Sequence, residues 1–317
     1  MTLITTPFGA TSTAAEVAAG IDLTGRSAIV TGGASGIGIE TARALAATGA
    51  SVTLAVRDVD AGRAVAKDIA STTGNSAVSV ARLDLADLDS VDAFVANWSG
   101  ALHILVNNAG VMNSPQAFTP QGWELQFATN HLGHFALAGG LHDALAADGA
   151  ARIVVVSSSG HGSSPVVFDD LFFARHPYDA DRAYGQSKTA NVLFAVEATR
   201  RWAADGITAN ALMPGGIWTN LQRHWAPAAL AATKAYAAAA GLAVKSPEQG
   251  AATSVLLATW PALAGVGGHY FEDCHEAEVV GAIVDGVHGV RDYALDPAAA
   301  ERLWDVSVEL LRVARAG

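Results

Sequence analysis

The pair of residues best suited to proton transfer is a tyrosine and a lysine four positions apart, Tyr184 and Lys188, in the segment YGQSK. In a helix this spacing places both side chains on one face, one turn apart. An isolated tyrosine, with a pKa of about 10, is a poor acid or base at neutral pH. A neighbouring ammonium stabilises the phenolate, so the pair indicates acid–base catalysis. Because Tyr-x-x-x-Lys often arises by chance, this hypothesis needs a second motif.

A glycine-rich turn supplies that motif, since it follows the apolar run 27–31 and precedes a helical stretch. Glycines let the backbone turn tightly and approach a pyrophosphate, and the start of a helix offers free N–H groups and a positive dipole end. The alternative is a tight turn without a ligand, but a position between strand and helix favours a dinucleotide site. The residues expected to contact the cofactor here are Gly32, Ala34, Ser35, Gly36, Ile37 and Gly38.

The end of the second predicted strand indicates which dinucleotide is bound. A carboxylate at this position would hold the ribose hydroxyls of NAD, whereas a basic side chain suits the 2′-phosphate of NADP. Arg57 directly follows the strand, so NADP is favoured. Asp58 comes next and keeps NAD open, and Arg57 could instead pair with a surface acid.

Two further strand ends lie along the expected path of the cofactor. A carboxylate after the third strand could reach the adenine amino group, and the segment NNAG ends the fourth strand. The residues assigned to the cofactor at these two ends are Asp84, Leu85, Asn108, Ala109 and Gly110.

The elements that must position these groups alternate regularly from residue 27 onward. The predicted strands are 27–31, 51–56, 77–83, 103–107, 151–157, 206–212 and 268–271. Helical stretches separate them, for example at 36–48, 59–71, 120–146, 184–204 and 247–259. Nearly continuous apolar runs are typical of parallel strands covered on both faces. The pattern predicts a doubly wound α/β Rossmann fold with about seven parallel strands and helices on both faces.

One domain accounts for most of the chain. Residues 1–22 are expected to be an N-terminal extension with a short helix, and residues 23–317 a single domain. The segment 159–183, rich in phenylalanine, and the segment 217–245, with two tryptophans, interrupt the alternation. Since long loops at the carboxyl ends of strands usually serve function, they are predicted to be an insertion and a lid that enclose substrate.

Composition excludes several classes of protein. The 317 residues are 51% hydrophobic and carry a formal charge of -11, which argues against disorder and against nucleic-acid binding. Cys274 is the only cysteine, so neither an intrachain disulfide nor a multi-cysteine zinc site can form. No stretch reads as a membrane span, and the first basic residue is Arg26, so a signal peptide is not expected. A cytoplasmic protein is predicted.

Taken together, the motifs resemble those of the short-chain dehydrogenase/reductase superfamily, from about residue 24 to 272. The segments that carry the resemblance are TGGASGIG, NNAG, ATNHLGHF, IVVVSSS, YGQSK and MPGGIWT. The spacings TGxxxGxG and YxxxK are similar to those of its single-domain oxidoreductases. The segments VRD, NHLGHF and YFEDC and the long serine-to-tyrosine insertion resemble the retinol-dehydrogenase and WW-domain oxidoreductase group.

The resemblance implies a role for each matching residue. Tyr184 would be the general acid in carbonyl reduction and the base in alcohol oxidation, and Ser158 would steady the substrate oxygen. Lys188 would hold the nicotinamide ribose, and Asn130 would anchor a water that relays protons to it. The nicotinamide carboxamide would be fixed by the turn that contains Pro214, Gly215, Ile217 and Thr219.

The substrate and the assembly follow less directly. The aromatic insertion and lid favour a lipophilic alcohol or carbonyl compound as the substrate. No metal is expected in the site. The resemblance leaves open reduction of an activated C=C bond, as in protochlorophyllide reductase-like enzymes. A dinucleotide-binding regulator without turnover is a third alternative, because fold alone does not settle function. Relatives often associate through the helices around Asn130 and Tyr184, so a homodimer or homotetramer is a further expectation.

A few other residues could bind a metal or contact the substrate, or depart from the family pattern. His131 and His134 lie three residues apart, but a third ligand at helical spacing is missing, so packing is favoured. Val155 stands where this family often has asparagine in a strand. His161 could touch substrate or lie in a solvated loop.

Overall fold

The computed structural model describes residues 2–239 and 244–316. Its main sheet has the strand order β3-β2-β1-β4-β5-β6-β7-β8. The strands are β1 Ser27–Thr31, β2 Ser51–Val56, β3 Val78–Arg82, β4 Ile104–Asn107, β5 Arg152–Val156, β6 Thr208–Met213, β7 Tyr270–Glu272 and β8 His275–Glu276. The first seven pair in parallel, whereas β8 is antiparallel to β7. The predicted doubly wound fold is confirmed, with one added antiparallel strand.

A separate pair of short parallel strands, β9 Val279–Val280 and β10 Val290–Arg291, lies outside this sheet. The helices are α1 Ala14–Ala18, α2 Ile37–Ala47, α3 Val59–Thr73, α4 Leu88–Ala96, α5 Leu125–Phe127, α6 Gly133–Gly140, α7 His142–Ala146, α8 Ala180–Trp202, α9 Pro227–Ala239, α10 Pro247–Gly250, α11 Ala252–Thr259 and α12 Pro297–Ala316. A π-helical turn, Ala128–Leu132, joins α5 to α6. The single helix expected over 120–146 is therefore divided into several pieces.

Two hydrophobic clusters cover the two faces of the sheet. Adjacent strand residues such as Ile29 and Val30, or Leu105 and Val106, belong to opposite clusters. Since successive side chains of a strand point to opposite faces, a strand buried on both sides must be apolar throughout. This explains why the strands were recognisable as uninterrupted apolar runs.

The N-terminal segment packs onto the domain through a capped helix. Thr13 and Glu16 form the expected capping box of α1, which satisfies N–H groups at the helix start. Val17 is fully buried in the cluster that contains α11. Ile4 exchanges backbone and side-chain hydrogen bonds with Glu276 of β8, each of 2.9 Å. The extension is thus held at both of its ends.

The insertion 159–183 turns its apolar side chains inward. Val166 and Leu171 are buried, and Phe172 meets Phe127 at 6.0 Å between ring centroids. Phe168 packs against the same cluster and lies beneath the guanidinium of Arg302. Because these aromatic residues serve the core, the insertion gives less support to a lipophilic substrate than its composition suggested.

Helix α12 covers one side of α8 and was not among the predicted helices. Leu303, Ser307 and Leu311 are buried at spacings of four, a helical pattern that the sequence does contain. Trp304 stacks on Phe194 of α8 at 6.1 Å between centroids. An association of two chains through α8 would have to use the part of that helix which α12 leaves open.

Candidate active site

Most of the predicted site residues come soon after β1 to β6 and therefore meet at the carboxyl edge of the parallel strands, whereas Asn130 lies in the π-helical turn and Tyr184 and Lys188 lie on α8. The strand order changes direction between β1 and β4, which are neighbours in the sheet although two strands separate them in sequence. In doubly wound sheets, ligands bind in the crevice outside this position. The topology gathers side chains that are up to 187 positions apart, from Gly32 to Thr219, on one edge.

The glycine loop has the shape of a cradle for an anion. Gly32 and Gly36 have φ angles of +66° and +54°, in the left-handed region that other residues rarely adopt. A Cβ atom on Gly38 would lie 2.5 Å from the Gly32 carbonyl oxygen, so only glycine fits at the start of α2. No side chain caps this helix at its N-cap Gly36. Its positive end is therefore available to a phosphate.

Thr31 joins the glycine loop to the NNAG segment. Its hydroxyl oxygen accepts hydrogen bonds of 2.9 Å from the N–H groups of Asn108 and Ala109. Asn108 Nδ2 in turn donates to the Thr31 carbonyl at 2.8 Å. His134 Nδ1 donates to the Asn130 carbonyl, so its Nε2 is left to accept from the Thr31 hydroxyl at 2.8 Å. Thr31 thus holds the glycine loop and the NNAG segment together, and His134 supports Thr31. Sequence analysis missed both roles.

At the predicted adenosine end, Arg57 is exposed and makes no ion pair with any residue in the described ranges. Asp58 is engaged elsewhere, because its carboxylate caps α3 by accepting from the N–H groups of Asp60 and Ala61. Arg223, on the 3₁₀-helix Asn220–His224, is a neighbour of Arg57. Crowding by protein atoms, and then the positive charge of Arg57, lower the pKa of Arg223. Two cations therefore face the same region.

The end of β3 is more closely packed. One carboxylate oxygen of Asp84 accepts from the N–H of Ala86 at 3.1 Å. Leu85 is buried, and its carbonyl oxygen would lie 2.2 Å from a Cβ on Gly133. Gly133 thus lets α6 approach the loop that follows β3.

Tyr184 lies in the first turns of α8, which Asp179 caps through the N–H groups of Asp181 and Arg182. Its ring packs on Gly160, where a Cβ would come within 2.8 Å of Tyr184 Cε1. Burial raises the pKa of Tyr184 to about 12, and a hydrogen bond with Ser158 acts in the opposite direction. The hydroxyl is therefore protonated at neutral pH in the protein alone.

Ser158 follows β5 and faces Tyr184. Its Oγ accepts from the Gly160 N–H at 3.0 Å, which leaves its own hydrogen free to donate. Ser157 is turned away, since its hydroxyl donates to the Lys188 carbonyl at 2.8 Å. Among the neighbouring serines, Ser158 is thus the one directed at Tyr184.

Lys188 is buried one helical turn beyond Tyr184. Its Nζ donates to the Val156 carbonyl at 2.9 Å and lies 5.6 Å from the centroid of the Tyr184 ring. Burial lowers the pKa of Lys188 to about 8. The ammonium is close enough to act on the tyrosine electrostatically, without a direct bond to its ring.

Asn130 lies in the π-helical turn, where both atoms of its amide are already engaged. Oδ1 accepts from the Val111 N–H at 2.8 Å, and Nδ2 donates to the Val111 carbonyl and to Ser187 Oγ, each at 2.9 Å. Asn130 Oδ1 and Lys188 Nζ both flank Gly110, at 3.1 and 3.6 Å from the position of a Cβ there. Gly110 therefore leaves space between the two residues.

The turn after β6 closes over the glycine loop. A Cβ on Gly36 would lie 3.3 Å from Thr219, and a Cβ on Gly250 would touch both Ile217 and Ile37. Pro214 and Gly215 precede this contact and are partly buried. Gly215, with φ of +102°, lies under the side chain of Lys245, which pairs with Asp273. The lid predicted for 217–245 includes residues 240–243, which lie outside the described residues.

The other residues considered for metal binding, thiol chemistry or substrate contact make contacts with protein groups. His131 Nε2 pairs with Ser307 Oγ at 2.9 Å, and burial lowers the pKa of His131 to about 3. Cys274 is buried beside Thr253. Trp218, in the lid, lies beneath the ammonium of Lys234. His161 is fully buried, which excludes the solvated loop position, one of the two alternatives left open for it.

One buried amide in this region has no partner among the described residues. Both polar atoms of the Asn107 side chain lack a hydrogen bond. In the sheet register its neighbour on β5 is Val155, the position where the sequence departs from the usual asparagine. The valine side chain has no polar atom, so it cannot pair with the Asn107 amide.

These features fit a dinucleotide. The glycine cradle and the uncapped start of α2 suit a pyrophosphate, and two arginines without an ion pair in the described ranges suit a further phosphate. Gly110, between Asn130 and Lys188, leaves room for a ribose beside the lysine.

Known proteins are similar to this chain over most of its length. A family model for "short chain dehydrogenase" matches residues 26–229. The chain is 54% identical over 299 residues to a "Probable oxidoreductase" of Streptomyces antibioticus, with 93% of this chain and all of that protein covered. It is 40% identical over 302 residues to retinol dehydrogenase 11 of Homo sapiens, covering 92% of this chain and 87% of that protein.

Solved structures also share the fold. A protein from Mycobacterium paratuberculosis superposes with a TM-score of 0.72 at 32% identity, covering 93% of this chain and 97% of that chain. A gluconate 5-dehydrogenase from Burkholderia cenocepacia, solved with NADP and tartrate, has a TM-score of 0.64 at 27% identity, covering 80% and 95%. Among the helices described here, none is long and apolar enough to span a membrane.

Proposed function

The chain belongs to the short-chain dehydrogenase family and is an oxidoreductase, and from this premise we propose that it interconverts an alcohol with its aldehyde or ketone using NADP(H). The observation that carries the proposal is the buried pair of Tyr184 and Lys188, with the half-buried Ser158 facing the tyrosine, beside the glycine cradle. We propose that the substrate is lipophilic. The two tryptophans of the lid and the likeness to retinol dehydrogenase 11 support this substrate class.

The residues of this chain divide the work of catalysis among them. When bound, the nicotinamide cofactor would supply or accept the hydride. In carbonyl reduction, Tyr184 Oη donates its proton to the substrate oxygen, and in alcohol oxidation it takes that proton back. Ser158 donates its free hydroxyl hydrogen to the same oxygen and stabilises the developing negative charge.

Lys188 and Asn130 support Tyr184 in different ways. Lys188 Nζ would hold the ribose hydroxyls of the nicotinamide half, and its charge favours the phenolate. The amide of Asn130 is engaged, and its main-chain carbonyl accepts from His134 Nδ1, so the second lone pair of that carbonyl would hold a proton-relaying water. The turn containing Pro214, Gly215, Ile217 and Thr219 would meet the nicotinamide carboxamide.

The preference for NADP rests on Arg57. It follows β2 without an ion pair among the described residues, whereas Asp58 is occupied in capping α3. Arg223 adds a second positive charge nearby. A 2′-phosphate would be bound by charge-assisted hydrogen bonds, which are the stronger kind. Asp84, Leu85, Asn108, Ala109 and Gly110 would line the path from the adenine to the ribose.

The first experiment is a fluorescence titration of the purified protein with NADPH and NADH. We expect NADPH to bind at least about tenfold more tightly, which corresponds to about 1.4 kcal/mol. Stronger binding of NADH would refute the assignment of Arg57. Lipophilic aldehydes and ketones are then screened with the preferred cofactor, and product analysis separates C=O from C=C reduction. Binding of neither nucleotide would refute the enzyme proposal.

A further inference from the structure

His161 lies three residues after Ser158, in the 3₁₀-helix Ser159–Ser163, and its side chain is fully buried. The catalytic scheme above assigns it no role. It nevertheless contacts the serine that faces the catalytic tyrosine. A buried imidazole must have its polar atoms satisfied, so its partners show what it does.

Both ring nitrogens have defined partners, and these fix one tautomer. Nδ1 lies 2.7 Å from the Ser158 carbonyl oxygen, which can only accept, so Nδ1 carries the hydrogen. Nε2 lies 3.1 Å from the main-chain N–H of Arg291, which can only donate, so Nε2 is the acceptor. A protonated ring would set a second N–H against that of Arg291. The ring is therefore held neutral with its hydrogen on Nδ1.

The surroundings of the ring leave it little freedom. The Tyr270 ring packs against it at 5.1 Å between centroids. The main-chain carbonyl of His161 accepts from Tyr293 Oη at 2.8 Å and from Thr189 Oγ1 at 3.1 Å. Three elements, β7, α8 and the segment after β10, thus hold His161 in place. Through Nδ1, this support reaches the carbonyl of Ser158.

We propose that His161 is a positioning residue that fixes the Ser158 peptide and so directs the Ser158 hydroxyl at the substrate oxygen. The inference rests on the proposed carbonyl–alcohol chemistry. The carbonyl of Ser158 accepts from Nδ1 at 2.7 Å and from the main-chain N–H of His161 at 3.1 Å, while the Gly160 N–H holds its Oγ. With the Gly160 N–H on one side of Oγ, the serine hydroxyl hydrogen is kept out of that direction and is free to point toward Tyr184. Precise placement of such a donor affects the transition state more than substrate binding.

A matched pair of variants separates the two ring nitrogens. The amide of His161→Asn can replace Nδ1 as a donor to Ser158 but does not reach Arg291. The longer amide of His161→Gln can replace Nε2 as the acceptor but loses the bond to Ser158. Each variant loses one hydrogen bond, so we expect similar melting temperatures. We expect kcat within about threefold of wild type for His161→Asn and a loss of at least about tenfold for His161→Gln. NADPH affinity should stay unchanged in both.

A double-mutant cycle tests whether His161 acts through Ser158. Adding His161→Gln to a Ser158→Ala enzyme should lower its residual kcat by less than about twofold, because the hydroxyl to be positioned is gone. An equal loss in both backgrounds, or equal kcat for His161→Asn and His161→Gln, would overturn the proposal.

A measurement on the wild-type protein does not depend on variants that fold. Long-range ¹H–¹⁵N NMR of histidine-labelled protein should show His161 with its hydrogen on Nδ1 and no titration between pH 6 and 7, because burial lowers its pKa to about 4. The opposite tautomer would overturn the positioning role. If no carbonyl substrate is turned over but the tautomer is as expected, the proposed function fails while the geometry of His161 stands.

Discussion

The two ends of the candidate site are built in different ways. At the nicotinamide end, Tyr184 and Lys188 are buried, and Ser158 is held by His161 and Gly160. At the adenosine end, Arg57 and Arg223 are exposed, and neither has an ion-pair partner in the described part of the chain. Burying a charged or polar group costs free energy of folding, but the surrounding protein then fixes its position. Exposed cations attract an anionic ligand without being held rigidly. Substitutions at the first should change kcat and stability, and those at the second should change cofactor affinity.

The largest effect is expected for Tyr184→Phe. Removing the hydroxyl removes the proton donor, so kcat should fall by about 100-fold to 10,000-fold while NADPH affinity is nearly unchanged. Tyr178→Phe is the matched control, because the Tyr178 hydroxyl bonds Ser114 and Glu124 away from Ser158. Steady-state kinetics and fluorescence titration measure both quantities. Full activity of Tyr184→Phe would refute the catalytic assignment.

The next effect concerns stability at the same buried end. Burial lowers the pKa of Lys188 from 10.5 to about 8, so the folded state binds its proton less tightly than the unfolded state. At pH 7 Lys188 is protonated in both the folded and the unfolded state, so the folded state bears the full free-energy cost of burying the ammonium. Lys188→Met should therefore raise the free energy of unfolding by roughly 3 kcal/mol. The carbonyl that Lys188 bonds retains a hydrogen bond from Asn191 Nδ2.

The pH dependence gives the sharper test of this prediction. Between pH 8 and 10.5 wild type gains stability as pH rises, because only the unfolded lysine is still protonated. The advantage of Lys188→Met should shrink across that range in urea unfolding. The exposed Lys67→Met control should change stability by less than about 0.5 kcal/mol. If Lys188→Met were less stable than wild type at pH 7, the buried ammonium of Lys188 would not destabilise the fold, contrary to this prediction.

A smaller effect, on binding alone, is expected at the exposed end. Arg57→Ala should weaken NADPH binding by about tenfold to 100-fold, the value of one or two charge-assisted hydrogen bonds, and leave NADH binding nearly unchanged. Arg63→Ala, on the neighbouring helix and paired with Asp60, is the control. Raising the salt concentration should weaken NADPH binding to wild type more than to Arg57→Ala. If Arg57→Ala lowered kcat and left NADPH affinity unchanged, the exposed end would not act through cofactor binding, and the proposed difference between the two ends would be wrong.

The smallest effect concerns Asn107, a buried amide without a hydrogen-bond partner among the residues that the structure describes. Val155→Asn places an amide beside it in the sheet register. We expect a coupling of about 1 kcal/mol between the two positions, measured by urea unfolding of Val155→Asn alone and in an Asn107→Leu background. The net change in unfolding free energy for Val155→Asn also includes the loss of the buried valine side chain. The coupling free energy between the two positions removes that contribution and is therefore the quantity to compare. Zero coupling would mean that the two amides do not meet.

Several features were predictable because they depend on neighbours in sequence. Apolar runs buried on both faces gave the seven parallel strands, and the glycine loop and the Tyr–Lys spacing gave the candidate site. Boundaries were less accurate: the helix expected to start at Tyr184 starts at Ala180, where Asp179 caps it. The helix predicted over 120–146 begins only at Leu125, where Glu124 caps it, contains a π-helical turn and gives way to a separate helix at His142.

The sequence by itself determined the fold class and the family and named the candidate site residues, because periodicity and short motifs are local properties of a chain. Only the tertiary structure decided that His161 is buried, that Arg223 joins Arg57, and that the phenylalanines of the insertion serve the core. The bond from His161 to Arg291 spans 130 positions. Contacts of this kind arise from how the sheet and helices pack, and burial, tautomer and pKa follow from those contacts.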